Sequence, residues 1–270
     1  VWAAEGSLRQ ADVTGEDMNN IFLKDAVRQV IGWLFRLYAE VYKALSGEHP
    51  HLMPWHFQWH ALRELNRELG NVLPSLEGKV LDMGCGMGPY RPLLEAADSY
   101  TGADIVEGPG VDAVIEPGKP LPFKADAFDA VISTQVFEHV DDLDFTLSEI
   151  RRVLKPGGKL VASVPFIYQI HGAPNDYRRF SEYGLERELK GFHIESVRRQ
   201  GGIGSSLAIL FLCWFDTQVG NNLLAWVLRG VLLPVWLMLC LVMNVCALLL
   251  DWIDTTESVY HNLLVVARLT

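Results

Sequence analysis

The run Asp82-Met83-Gly84-Cys85-Gly86-Met87-Gly88 sets an acid and three alternating glycines at the end of an apolar stretch, Lys79-Val80-Leu81. Glycine accepts positive φ and lets backbone approach a ligand with no Cβ in the way. At the carboxyl end of a first strand, such a turn meets the ligand crevice of an open α/β sheet. About twenty residues further on, Asp104 ends the next apolar run, where a carboxylate accepts hydrogen bonds from ribose hydroxyls. A dinucleotide loop has the spacing G-x-G-x-x-G; here it is G-x-G-x-G. A tight strand-to-helix turn without a ligand would use the same glycines, so the loop alone points only to a nucleotide-like site. His139 and His171 are the other chemistry-bearing residues, since a histidine near its ordinary pKa takes a proton at neutral pH. His49, His51, His56 and His60 also cluster, and His56 and His60 share a helix face. No carboxylate or cysteine completes a ligand set there, and no metal is expected.

Between residues 78 and 200, short apolar runs alternate with helical patterns, which implies a mostly parallel sheet wrapped by helices. The strand candidates are Lys79–Met83, Tyr100–Ile105, Val111–Ile115, Phe128–Val136, Lys159–Pro165 and His193–Gln200, with Asn262–Leu269 closing the chain. Asp141 or Asp142 can cap a helix whose buried face is Leu143, Leu147, Ile150 and Leu154, and Lys155-Pro156-Gly157-Gly158 stops it. Residues 1–18 are polar and expected to be poorly ordered. Residues 19–70 read as helix, broken by Gly47 to Pro54 and resuming from about Trp55 to Leu69. Trp55, Phe57 and Trp59 suggest that this second helix covers the ligand cleft. The expected division is an N-terminal helical segment over 1–77, a ligand-binding domain over 78–202 with 257–270, and a hydrophobic helical insertion over 203–256.

Four ordered segments carry a family resemblance. They are the glycine loop, Leu121-Pro122-Phe123 with Phe128-Asp129-Ala130-Val131-Ile132, Gln135 to Val140 with its Glu-His-Val, and Leu154-Lys155-Pro156-Gly157-Gly158. Together they resemble the class I S-adenosylmethionine-dependent methyltransferases of the methyltransferase type 11 kind, over about residues 78–200. The resemblance implies a Rossmann-like, doubly wound α/β fold with a seven-stranded, mostly parallel sheet and an antiparallel last strand. It implies S-adenosylmethionine as cofactor, with Gly84, Gly86 and Gly88 along its methionine part and Asp104 on its ribose. Glu116 is then expected near the adenine amine, Asp82 as a residue ordering the loop, and Cys85, Ile105 and Gln135 among the cofactor contacts. Methyl transfer is an in-line displacement, so the acceptor must be aligned and water kept out. His139 and His171 are candidate bases for a hydroxyl acceptor, His139 alternatively a residue that only bonds the loop. His171 to Ser181 resembles the family's acceptor-side loop, which makes Asp176, Tyr177, Arg178 and Arg179 candidate substrate contacts. In the plainer reading, Asp176 and Arg179 pair to fix that loop.

Gly230 to Leu250 carries no charge, long enough for a membrane span. If Asn262–Leu269 rejoins the sheet beside His193–Gln200, however, the chain must return to the side it left, which one span cannot do. The insertion is therefore expected to be a helical hairpin lying in one membrane face, with Trp214, Trp226, Trp236 and Trp252 at interfacial depth and Pro234 as a kink. The alternatives are packing on the apolar helix of residues 19–45 as a lid or homodimer interface, or a true span. The net charge of −10 lowers the prospect of nucleic acid as main partner. Cys85, Cys213, Cys240 and Cys246 show no disulfide or metal spacing and fit a cytoplasmic setting. Glu5, Arg9, Asp12, Glu16 and Asp17 interrupt any signal-peptide core. The expected activity is O-methylation of a glycan or lipid-linked glycan at the inner membrane face. This follows the resemblance of Gly86 to Leu93, with the insertion, to bacterial methyltransferases of cell-surface glycan assembly. A quinone or lipid methyltransferase is the alternative enzyme, and a non-catalytic cofactor-binding membrane adaptor the alternative of another class.

Overall fold

The computed structural model describes residues 15–218, 220 and 222–270. The first fourteen residues of the polar start therefore lie outside the description, and from Gly15 the chain is helical. Helix α1 spans Gly15–Ser46. The described residues fall into two compact units: 15–45 with 220 and 222–234, and 46–218 with 235–270. In the first unit, the Trp226 ring packs edge-on to Phe35 at 5.2 Å and tilted against Tyr38 at 5.7 Å.

The second unit is built on seven strands: β1 Gly78–Met83, β2 Ala97–Asp104, β3 Ala113–Val114, β4 Phe128–Thr134, β5 Leu154–Pro165, β6 Phe192–Gln200 and β7 Asn262–Leu269. Their order is β3-β2-β1-β4-β5-β7-β6, parallel throughout except for β7, which runs antiparallel between β5 and β6. Period-two alternation divides the buried residues between two faces. Leu81, Val131, Leu263 and Val265 meet the α3 side (Leu143–Val153), while Val80, Ile132, Leu264 and Val266 meet Leu65 and Leu69 of α2 (Trp59–Val72). Truncating either α2 leucine to Ala removes a fully covered side chain, a change that costs about 2–5 kcal/mol.

Several boundaries differ from the sequence expectation for local reasons. α2 begins at Trp59 rather than Trp55, after turns closed by His56 N–H on Met53 O and Trp59 N–H on His56 O. β4 stops at Thr134 because Gln135 takes φ 55. Phe128 pairs with Leu154, which extends β5 back through the Lys155–Gly158 turn. Asp142 is the cap of α3, its Oδ1 accepting Phe145 N–H at 2.9 Å. Between Gly84 and Ala96 the chain makes one 3₁₀ turn, Arg91–Leu93, rather than a helix; Pro89 and Pro92 remove two amide donors there.

Helix α4 (Glu182–Glu188) precedes β6, and the insertion forms α5 (Ile203–Gln218) and α6 (Leu223–Ile253). Gln200 pairs with Asn262 across β6 and β7, so the chain leaves and re-enters the sheet at adjacent residues.

Candidate functional site

At the carboxyl end of β1, Gly84, Gly86 and Gly88 take φ 76, 52 and 68, the left-handed region that side chains resist. A Cβ on Gly84 would stand 2.3 Å from Val136 Cγ2, and a Cβ on Gly110 would stand 2.5 Å from the Met87 carbonyl carbon. The loop is thus held by close backbone packing. Gly84 and Cys85 N–H both donate to Ala103 O, at 2.7 and 3.2 Å. At Gly86 the reverse holds: a Cβ would meet nothing within 4 Å. The positive φ and open approach combine there, which is what a backbone facing a ligand requires.

Asp104 ends β2 beside this opening. Its carboxylate accepts Gly86 N–H at 2.8 Å and Val106 N–H at 3.2 Å. An ionised carboxylate has about four acceptor positions, so two are left for hydroxyl donors. Ile105 and Val106 follow it with 57% and 68% of their surface exposed, an apolar shelf next to the carboxylate. Asp82 lies beneath the loop, 1% exposed; its Oδ2 accepts Tyr100 O–H at 3.0 Å and its Oδ1 has no partner. Burial pushes its carboxyl up to about 6. The expected loop-ordering role through Asp82 is therefore not seen in hydrogen bonds; Ala103 O and Asp104 hold the loop. Cys85 turns inward, its thiol donating to Gly110 O at 3.4 Å, so it offers a ligand only backbone. The Gln135 amide donates to Ser163 Oγ at 3.0 Å and Asn262 Oδ1 at 2.9 Å and is fixed to the sheet. Glu116 is exposed beyond β3 and closes a turn with Lys119.

The second cluster stands at the ends of β4 and β5. His139, in the 3₁₀ turn Phe137–His139, and His171, in the loop after β5, meet Nε2 to Nε2 at 3.1 Å. His139 Nδ1 lies 2.5 Å from Asn175 O. His171 Nδ1 lies 3.3 Å from Gln169 O and 3.4 Å from Asp176 Oδ2. Burial, then the neighbouring His139, lowers the His171 pKa. Glu138 is fully buried under the pair, and burial pushes its carboxyl well above the usual range. The Tyr168 ring stands edge-on to His171 at 5.1 Å, and its hydroxyl accepts from Gln58 at 3.0 Å. The segment before α2 thus reaches the acceptor side through Gln58.

Of the four acceptor-loop candidates, three hold the loop itself. Arg179 forks onto Asp176 at 2.5 and 2.7 Å, keeping that carboxyl far below its ordinary range, and also donates to Gln169 O. Arg178 caps Val140 O and Asp141 O. Tyr177 is 46% exposed and is the member that faces outward. The histidines of residues 49–60 do not converge: His49 meets Tyr90, His60 meets Asn244 O, and His56 stacks on Phe57. A cavity of ≈ 760 Å³ opens at the opposite, amino end of the strands around Gly78, Lys155 and Arg268, away from both clusters.

The profile of a family described as a methyltransferase domain matches residues 81–162, which run from the glycine loop through β5. That stretch, about a third of the chain, is similar in sequence to a methyltransferase domain. Beyond it, the chain is 34% identical over 121 residues to a malonyl-[acyl-carrier protein] O-methyltransferase of Methylococcus capsulatus, covering 37% of this chain and 44% of that protein. It is 32% identical over 114 residues to a ubiquinone biosynthesis O-methyltransferase of Rhizobium rhizogenes, covering 37% and 46%. The chain spans under half the length of these relatives. The solved structure of the [4+2]-cyclase SpnF superimposes with TM-score 0.51 at 18% identity, covering 78% of this chain and 82% of that one. This likeness concerns the fold alone, and a cyclase on such a fold illustrates that fold does not fix reaction. The matched residues include the loop, Asp104, Glu138 and His139; His171 lies outside them. Glu138 is the residue to which sequence reasoning gave no role, because nothing local says that an acid in a Glu-His-Val run will be buried.

Proposed function

We propose that the chain O-methylates a glycan or lipid-linked glycan at a membrane surface. The observation that carries the reading is the His139–His171 pair, at 3.1 Å, on the strand ends adjoining the glycine loop. The residues fit S-adenosylmethionine on two counts. The space at Gly86 admits a ligand against bare backbone, and the unpartnered Asp82 Oδ1 suits a cationic amine, which would offset the cost of a buried acid. Asp104 would hold the ribose, with Ile105 beside the base. When bound, the cofactor supplies a methyl group on a positively charged sulfur. The chain's own residues then align the acceptor oxygen and draw its proton toward an imidazole Nε2, while the loop pinned by Arg179–Asp176 excludes water.

Membrane association rests on the insertion. α6 has mean hydropathy 2.5 over its most apolar window, of which 22% is buried. Leu224, Val231, Val235, Met238, Leu249 and Ile253 are all at least 59% exposed, an apolar surface beyond what a soluble monomer ordinarily shows. α5, at 16 residues, is about 24 Å long and short of a bilayer core, which supports a hairpin lying in one face. Trp214 and Trp252 are exposed as interfacial anchors; Trp226 and Trp236 are not, Trp226 being covered and Trp236 stacked on Phe215 at 5.3 Å.

The sugar reading is supported by the histidine pair set for a hydroxyl acceptor, and the quinone reading by the ubiquinone relative and the exposed apolar face. Labelled S-adenosylmethionine supplied with membranes separates them: label enters glycolipid on the first reading and quinone on the second. Label in neither fraction removes both, and no S-adenosylhomocysteine from any fraction favours a non-catalytic adaptor. Flotation with liposomes tests the hairpin, and a chain that stays soluble as a homodimer would overturn it.

A further inference from the structure

We propose that Glu138, His139 and His171 form a binding site for a divalent transition metal of the zinc class. The inference rests on hydrogen-bond bookkeeping at the pair, and it departs from the sequence expectation of no metal. Asn175 O accepts only, so His139 Nδ1, 2.5 Å away, carries the ring proton. His171 Nδ1 faces two acceptors, Gln169 O and Asp176 Oδ2, and carries its proton for the same reason. With the ring proton on Nδ1, each ring turns an Nε2 lone pair toward the other at 3.1 Å. The third group at this point is another acceptor: Glu138 Oε1 lies 3.8 Å from His139 Nε2 and 3.9 Å from His171 Nε2. Neither Glu138 oxygen has a hydrogen-bond partner, although the residue is 0% exposed. With Glu138 ionised, three lone-pair donors converge with no hydrogen among them, and a cation is what such a set lacks.

The dimensions agree. The three separations define a point about 2.1 Å from each atom, the length of a zinc–nitrogen or zinc–carboxylate bond. Ligating histidines ordinarily donate their other N–H to a carbonyl or carboxylate, which orients the ring, and both do so here. Among the described residues, this is the group of three potential ligands whose donor atoms lie within 4.8 Å of one another. The charged groups close by are Asp176, Arg179 and Glu138, the last deprotonated on binding an ion as a ligand must be; with neutral imidazoles they then leave one net negative charge. Three protein ligands leave a position open, as in catalytic zinc sites; an acceptor hydroxyl there would lose its proton more readily, to water rather than to the imidazoles, whose Nε2 lone pairs would then be on the ion. This last use rests on the methyltransferase reading; the metal site itself does not.

The test is metal uptake by the purified full chain after chelation, with Zn²⁺ for stoichiometry and Co²⁺ for its visible spectrum. About one Zn²⁺ per chain and an intense Co²⁺ band of low coordination number are expected. Both should weaken at least tenfold in Glu138→Gln and His171→Asn and stay unchanged in His56→Asn. S-adenosylmethionine binding, measured on the same samples, should persist in every folded variant, which separates failure of this site from failure of the cofactor reading. No uptake by the folded, unaltered chain overturns the proposal and leaves a proton shared between the two Nε2 atoms. Uptake indifferent to both substitutions overturns it as well. Should either variant unfold, the Co²⁺ spectrum of the unaltered chain decides, and a weak octahedral spectrum rejects the site.

Discussion

The two clusters on this sheet edge are built by opposite means. The glycine loop with Asp104 is mostly backbone: three left-handed glycines, carbonyl and amide contacts, one carboxylate. The Glu138–His139–His171 cluster is made of side chains, and the loop beside it is pinned by Arg178, Arg179 and Asp176. The first construction leaves an opening shaped by absent Cβ atoms. The second leaves lone pairs in need of a cation or proton. A backbone cradle tolerates no substitution at its glycines, whereas a side-chain cluster should lose chemistry and keep its shape.

That contrast breaks most directly at Gly84. Gly84→Val adds a side chain against Val136 at a left-handed φ, and should cost about 2–4 kcal/mol of stability, with cofactor binding lost. A variant with unchanged melting temperature would show that the loop is not tightly seated. At the other cluster, His171→Asn should lower kcat about 10²–10⁴-fold with cofactor affinity kept. Equal loss of cofactor affinity would mean that the two regions are not separable.

A smaller effect sharpens the comparison from outside both clusters. Burial lowers His56 to about 4 and His261 to about 3, so both are held neutral in the folded chain. Their folded pKa values lie below the ordinary 6.5, so their contribution is complete above pH 6.5 and is lost as pH falls through 6.5 toward 4. The melting temperature should drop between pH 7 and pH 5, and His56→Gln should flatten that drop. A melting curve that rises on acidification would contradict the buried neutral state.

How far each region could be read from sequence follows from the same difference. The loop is local: glycine spacing and an acid on the next strand suffice, and the structure has those residues together. The strand set was readable for a similar reason, since alternation marks the two core faces, and Asn262–Leu269 has the bounds expected. The acceptor cluster joins residues more than thirty positions apart, and no periodicity announces that Glu138 is buried or that His171 will face His139. The pairing of Arg179 with Asp176 was readable as the plainer account of that loop, and the structure has it. Cys85 and Gln135 fall within the motifs, while their side chains turn into the protein.

The central claim is that the glycine loop and Asp104 hold S-adenosylmethionine. Calorimetric titration of the full chain and of Asp104→Ala tests it most directly. One equivalent should bind the unaltered chain, with affinity at least tenfold weaker in the variant, about 1.4 kcal/mol. Equal affinity in the two proteins would contradict the assignment of Asp104, and no binding to either would contradict the cofactor site altogether.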